Sequence, residues 1–258
     1  TGCGVATGMC NPCQKRSRPF GAASLRGKKP VISRQKGLVF SIIGACTCVF
    51  AATIGVFQTD LKRVIAYSTC SQLGYMIFAC GVGNFAGSLY HLFTHGFFKA
   101  LLFLSAGVII HACRDEQDMR RLGGYRLVLP IAYATTLAGS AVLVGAPFIA
   151  YSKEMILEAG AVHFTTNGAF STACASLCVV LSAIYTFRAL LLTFGQRASA
   201  PAPEAESTAL TTVCLVFLAT GALFSGYLLK QMLVGAGTDL WGNESMAALL
   251  YQLPQGGR

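Results

Sequence analysis

The chain has 258 residues, of which 54% are hydrophobic and only 12% charged, with a formal net charge of +10. A soluble globular domain carries about 25% charged residues, so this composition excludes an ordinary soluble fold and points to a membrane protein. The apolar runs are continuous, without alternation, so an all-α architecture is expected and a barrel is excluded.

The chain opens on a basic tail, residues 1–37, with Lys15, Arg16, Arg18, Arg26, Lys28, Lys29, Arg34 and Lys36 and no acid. A basic, acid-poor, Ser-containing start has the character of an organelle transit segment. The chain also begins at Thr1, not Met. The expectation is a mitochondrial protein whose leader has been cut. The alternative is a solvated or headgroup-binding arm. Nucleic-acid binding is excluded, because Phe20 alone offers a ring for base stacking. Cys3, Cys10 and Cys13 form C-x6-C-x2-C, one ligand short of a structural zinc site. A tail disulfide and free thiols both remain open, and no metal is expected. The cysteines within the apolar stretches read as small buried hydrophobes.

A bilayer core takes about 20 apolar residues per helix. Six transmembrane helices are predicted, at about 38–57, 64–83, 88–112, 127–150, 168–194 and 208–229. They make a transmembrane unit over 38–230, followed by a polar C-terminal tail, 231–258. The fourth is expected to be broken: it meets Gly145 and Pro147 and resumes at "SKEMILEAG", with Ser152 as its N-cap. Broken helices at membrane depth line cavities and mark transport sites.

The loops 58–63, 113–126 and 195–207 fall on one face and carry Lys62, Arg63, Arg114, Arg120, Arg121, Arg126 and Arg197. The opposite connectors carry no Lys or Arg, so the positive-inside rule places the basic loops in the matrix. Alternation sends the basic tail to the other side. The short loops decide, because long terminal segments cross largely regardless of charge.

"HLFTHGFFKALLF" places His91, His95 and Lys99 four residues apart, on one face of the third helix. A lysine near the bilayer centre costs on the order of 3 kcal/mol or more. Lys99 is therefore expected to be a proton-carrying site in a hydrated interior. The alternative is a structural ion pair with an acid of a neighbouring helix. Histidine titrates nearest neutral pH, so the two histidines read as a route to Lys99. Lys153 and Glu154 form a second polar centre beside the break, either a protonatable site with its partner or an interfacial lysine and an N-terminal acid. Ser68, Ser71, Gln72 and Tyr75 lie three to four apart and are expected to hydrogen-bond to a neighbouring helix or water. His111 is expected at the interface, and Asp60, Lys62 and Arg63 as anchors at a span end.

"QTDLKRVIAYSTCSQLGYM", "HLFTHGFFKALLFLSAGVIIHACRDEQDMRRLGG", "PF…YSKE" and "GYLLKQMLVGAGTDLWGN" together resemble the antiporter-like subunit 5 family of mitochondrial NADH:ubiquinone oxidoreductase, respiratory complex I. The resemblance runs from about 37 to 243. It implies a proton-translocating subunit of the inner membrane, built here as the second five-helix repeat plus one helix. Lys99 matches the central lysine of a half-channel, His91 and His95 the histidines leading to it, and Lys153 the lysine at the broken helix. Glu154 stands where the family usually has Asp, and the segment before Lys153 is shorter than the family's.

The resemblance also implies a fragment of a split subunit. The missing first repeat and the lateral helix would be separate chains, and the other partners a neighbouring antiporter-like subunit and lipid including cardiolipin. No cofactor is expected on the chain, which has no dinucleotide fingerprint and no four-Cys cluster. Flavin, iron-sulfur clusters and ubiquinone would lie elsewhere in the complex. Three competing functions are a subunit of a multi-subunit sodium/proton antiporter, a non-pumping structural remnant, and a haem anchor through His91 and His95. The last is disfavoured because ligands a turn apart on one helix cannot approach a haem from opposite faces.

Overall fold

A computed structural model of the chain describes residues 34–145, 151–162, 166–195 and 209–233. The described residues form helices α1 (Arg34–Phe57), α2 (Leu61–Gly81), α3 (Phe85–Ala112), α4 (Pro130–Val144), α5 (Tyr151–Val162), α6 (Thr166–Leu190) and α7 (Ala209–Leu233). A π-helical turn, Leu191–Gly195, extends α6. Residues 1–33 of the basic tail, with Cys3, Cys10 and Cys13, the loop with Arg197 and residues 234–258 of the C-terminal tail lie outside the described residues; the last four residues of the expected basic tail, 34–37, open α1, and 231–233 close α7.

Four of these helices are long and apolar enough to cross a membrane: Lys36–Phe57, Phe85–Ala112, Ala169–Gly195 and Ala209–Lys230. The sequence led us to expect six spans. α2 is long enough, but Lys62 and Arg63 in its first turn and the polar row from Ser68 to Tyr75 lower its apolarity. α4 is apolar but short. It stops where Gly145 adopts φ +97°, a left-handed C-cap whose amide bonds the Ala141 carbonyl. The segment expected to carry the break, with Ala146 and Pro147, lies outside the described residues.

Helix ends follow local chemistry more closely than apolarity. α3 begins three residues earlier than its apolar run suggests, because the Asn84 side chain accepts from the Gly87 amide at 2.9 Å. α4 begins at Pro130, which needs no amide partner there. Over the described residues Ser152 lies within α5 (Tyr151–Val162), with its hydroxyl turned to another helix.

α1 and α2 pack backbone to backbone. A Cβ added at Gly81 would sit 2.3 Å from the Ser41 amide nitrogen, and one at Gly74 2.8 Å from that of Cys48. Small residues let helices approach this closely where lipid gives no hydrophobic drive for association. Outward-facing Phe40 and Phe50 of α1, Phe187 of α6 and Phe217 and Phe224 of α7 are exposed, as suits surfaces facing lipid or other chains.

The loop after α3 is ordered. Asp60 and Asp118 form an antiparallel bridge, with the Leu61 amide donating to the Gln117 carbonyl at 3.0 Å and the Met119 amide to that of Thr59 at 3.0 Å. Met119, Leu122 and Tyr125 are buried beneath it. Arg63 pairs with Asp60 at 3.0 Å, Arg120 with Asp118 at 2.8 Å and Arg121 with Glu116 at 3.3 Å. Asp60 and Arg63 thus form a local pair at the start of α2. Arg188, near the end of α6, donates to the Val56 and Gln58 carbonyls at 2.7 and 2.6 Å, which caps the C-terminus of α1.

Candidate functional site

The helical repeat of α3 puts His91, His95 and Lys99 on its inner face, 1%, 7% and 5% exposed. Each side chain meets a different environment. His91 lies between α2 and α5: its Nε2 is 3.0 Å from Gln72 Oε1 and its Nδ1 2.9 Å from Ser152 Oγ. With the Gln72 oxygen accepting, Nε2 carries the proton and Nδ1 accepts from the Ser152 hydroxyl. Turning the Gln72 amide over would reverse both bonds, so the site can hold either neutral tautomer in line. The Tyr75 ring stands edge-on, 5.9 Å away.

His95 bridges the row. Its ring centre is 6.2 Å from that of His91 and 5.2 Å from Phe98, and its buried Nε2 has no hydrogen-bond partner among the described residues. Lys99 donates its ammonium to the Ser68 hydroxyl and lies 3.4 Å from the Ile65 carbonyl, both on α2. Lys153, 4% exposed, donates to the Leu143 carbonyl. That carbonyl belongs to the last turn of α4, where the helix leaves its acceptors unmatched. The Tyr75 hydroxyl donates in turn to the Lys153 carbonyl at 2.9 Å.

Neither buried lysine pairs with a carboxylate among the described residues. Asp60, Asp115, Glu116 and Asp118 lie in the loops, and Glu154 and Glu158 are exposed on α5. Glu154 sits beside Lys153 in sequence, but Lys153 is buried and Glu154 exposed, so of the two readings of this pair the partnership is not formed among the described residues. His111 is exposed at the end of α3.

The polar row on α2 behaves as its spacing suggested. Ser68 meets Lys99, Gln72 meets His91 and Tyr75 meets Lys153. Ser71 donates to the Cys48 carbonyl at 3.0 Å, and its oxygen lies 3.0 Å from Cys178 Sγ and 3.6 Å from Cys48 Sγ. Two partners were not foreseen. Ser152 was read as a cap and instead holds His91. The Leu143 carbonyl carries no side-chain signal; only the expected helix end at Gly145 hints that a free acceptor lies there.

A row of protonatable groups, held only by hydroxyls, an amide and carbonyls, can pass protons without locking them into ion pairs. A family model described as "NADH:quinone oxidoreductase/Mrp antiporter, TM" matches residues 30–182. NADH-ubiquinone oxidoreductase chain 5 of Marchantia polymorpha is 49% identical over 224 residues, covering 84% of this chain and 33% of that protein. Its counterpart in Triticum aestivum is 48% identical over 219 residues, covering 80% and 32%. That of Chondrus crispus is 43% identical over 239 residues, covering 88% and 35%. The chain thus spans about a third of the length of the curated relatives it matches.

Proposed function

Because the chain belongs to the NADH:quinone oxidoreductase/Mrp antiporter family, we propose that it is a proton-translocating part of the membrane arm of NADH:ubiquinone oxidoreductase. The observation that carries this is the buried row His91–His95–Lys99, with Lys153 nearby and, among the described residues, no carboxylate bound to either lysine. A buried amine without a counterion is poised to lose or gain a proton when a charge elsewhere changes. Lys99 stores the proton, Ser68 orients its ammonium, and His95 and His91 deliver or remove it. Lys153 is the second store, at a broken fourth helix formed by α4 and α5. A proton on one lysine disfavours a proton on the other, which is how a charge change at one end of the arm is passed along.

The redox groups of such a complex, flavin, iron-sulfur clusters and ubiquinone, lie on other chains in this scheme. The chain supplies one antiporter-like half of a split subunit. Its partners are the other half and the lateral helix as separate chains, a neighbouring antiporter-like subunit, and lipid including cardiolipin. It resides in the mitochondrial inner membrane with loops 58–63, 113–126 and 195–207 in the matrix. The test of the relay is Lys99→Ala. We expect the complex to assemble and oxidise NADH while protons pumped per NADH fall. Unchanged pumping in an intact complex would refute the assignment.

The family description also names Mrp antiporters, so a sodium/proton antiporter subunit is a second reading. Eight relatives between 43% and 49% identical all bear the name NADH-ubiquinone oxidoreductase chain 5, which favours the first. Co-purification with a redox complex decides between them.

A further inference from the structure

Three helices bring two buried thiols onto one hydroxyl. Cys48 of α1 is 0% exposed and Cys178 of α6 1%. Between them stands Ser71 of α2, its oxygen 3.6 Å from Cys48 Sγ and 3.0 Å from Cys178 Sγ. Ser71 donates its own proton to the Cys48 carbonyl at 3.0 Å, which leaves its lone pairs to the thiols. Each thiol is also a hydrogen-bond partner of the other. Both are free thiols, and the row on α3 uses neither.

Small residues allow this approach. Ala45, Cys48 and Ala52 share one buried face of α1, and Ala175, Cys178 and Ser182 one buried face of α6. The two helices run side by side in the same direction. Beyond the thiols, a Cβ at Gly55 would lie 3.6 Å from the Tyr185 ring, and further along Arg188 bonds the Val56 and Gln58 carbonyls. The seam also has a way in. Cys174, one turn before Cys178, is half-buried and lies near Cys46, which is exposed.

Two thiols in contact have a chemistry that a small hydrophobe lacks. A hydroperoxide oxidises one sulfur to a sulfenic acid and departs as an alcohol, and the second thiol then displaces water from that sulfur. The O–O bond and two S–H bonds break and an S–S bond forms. The two sulfurs supply the two electrons that reduce the peroxide, and the thiol hydrogens end in the alcohol and the water. Closure removes both S–H donors from Ser71. Gln72, next along α2, meets His91, and Tyr75, one turn on, donates to the Lys153 carbonyl. The thiol pair is thus joined through α2 to the protonatable residues.

We propose that Cys48 and Cys178 form a redox-modification site, an interhelical dithiol that a hydroperoxide closes into a disulfide, tying α1 to α6 and slowing proton transfer through the neighbouring row. The site itself does not depend on the relay assignment; its effect on pumping does. In the experiment, membranes carrying the assembled complex are reduced, treated with tert-butyl hydroperoxide, alkylated and digested without reductant, and the peptides are read by mass spectrometry.

A Cys48–Cys178 cross-linked peptide should rise several-fold over untreated membranes and vanish with dithiothreitol. Its absence, or a Cys46–Cys174 cross-link in its place, would overturn the proposal. Protons pumped per NADH should fall with closure and return with dithiothreitol. Cys178→Ala should abolish the cross-link and hold pumping steady under peroxide, and Cys48→Ser should do the same by removing the other sulfur. An equal loss of pumping in these variants would sink the effect on proton transfer. Lys99→Ala should still form the cross-link. Undiminished pumping in that variant would refute the relay and leave the dithiol site standing.

Discussion

Ser152→Ala isolates one link of the row. The Ser152 hydroxyl is 2.9 Å from His91 Nδ1, and on the far side of the ring Nε2 meets the Gln72 oxygen at 3.0 Å. Without the hydroxyl, the Nε2–H tautomer leaves Nδ1 a buried acceptor with no donor. The other tautomer requires the Gln72 amide to turn over and leaves an Nδ1–H with no acceptor. Thr94 cannot fill the gap, because its hydroxyl, 3.4 Å from Ser152 Oγ, is committed to the Tyr90 and His91 carbonyls. An orphaned buried group costs about 1–3 kcal/mol, which corresponds to roughly 5- to 150-fold in proton transfer through His91. The assay is proton uptake into proteoliposomes measured beside NADH oxidation. We expect protons per NADH to fall in Ser152→Ala with the complex assembled, and Ser152→Thr to recover them. An assembled Ser152→Ala complex that pumps normally would refute the claim that His91 works through this hydroxyl.

Other expectations follow from the packing and the loop. Gly81→Ala brings a Cβ to 2.3 Å from the Ser41 amide, an overpacking cost of about 1–3 kcal/mol, so assembled complex should fall on native gels with no specific pumping defect in what remains. Arg188→Ala strips the α1 carbonyls of a charged donor, a loss of about 1.5–3 kcal/mol; thermal stability should drop, and Arg188→Lys should regain part of it. In the loop, the hydrogen bonds from Arg120 hold the Asp118 carboxyl below its usual range, and the Asp118 amide does the same for Glu116. A carboxyl depressed in the folded state stabilises above its ordinary pKa and loses that contribution as pH falls through the folded value. Exchange protection of the Leu61 and Met119 amides, corrected for intrinsic rates, should therefore hold down to about pH 4 and decline below it.

The inner face of α3 was legible because depth and spacing are both written in sequence. A four-residue rhythm fixes which side chains share a face, and an apolar run fixes how deep they sit. The polar row of α2 was legible for the same reason. The partners across helices were less so. Ser152 looks like a cap because its own segment begins beside it, and only packing of α5 against α3 shows that the hydroxyl is spent on His91. Glu154 looks like a partner because it is adjacent in sequence. Adjacent helical residues point about 100° apart, so burial of one tends to expose the other. The Leu143 carbonyl has no residue type to announce it. The π-helical turn was invisible too, since "LLTFG" carries no period that distinguishes it from the helix before it.

The Lys153–Leu143 contact makes the joint between α4 and α5 conditional on a proton. Carbonyls at the C-terminal end of α4 form its negative pole, and a charged ammonium grips them roughly twice as hard as a neutral amine would. A proton leaving Lys153 therefore also slackens a mechanical fastening between two helices. Charge movement and helix spacing are geared together at that point, so the position of α4 should register the protonation state of a residue on α5.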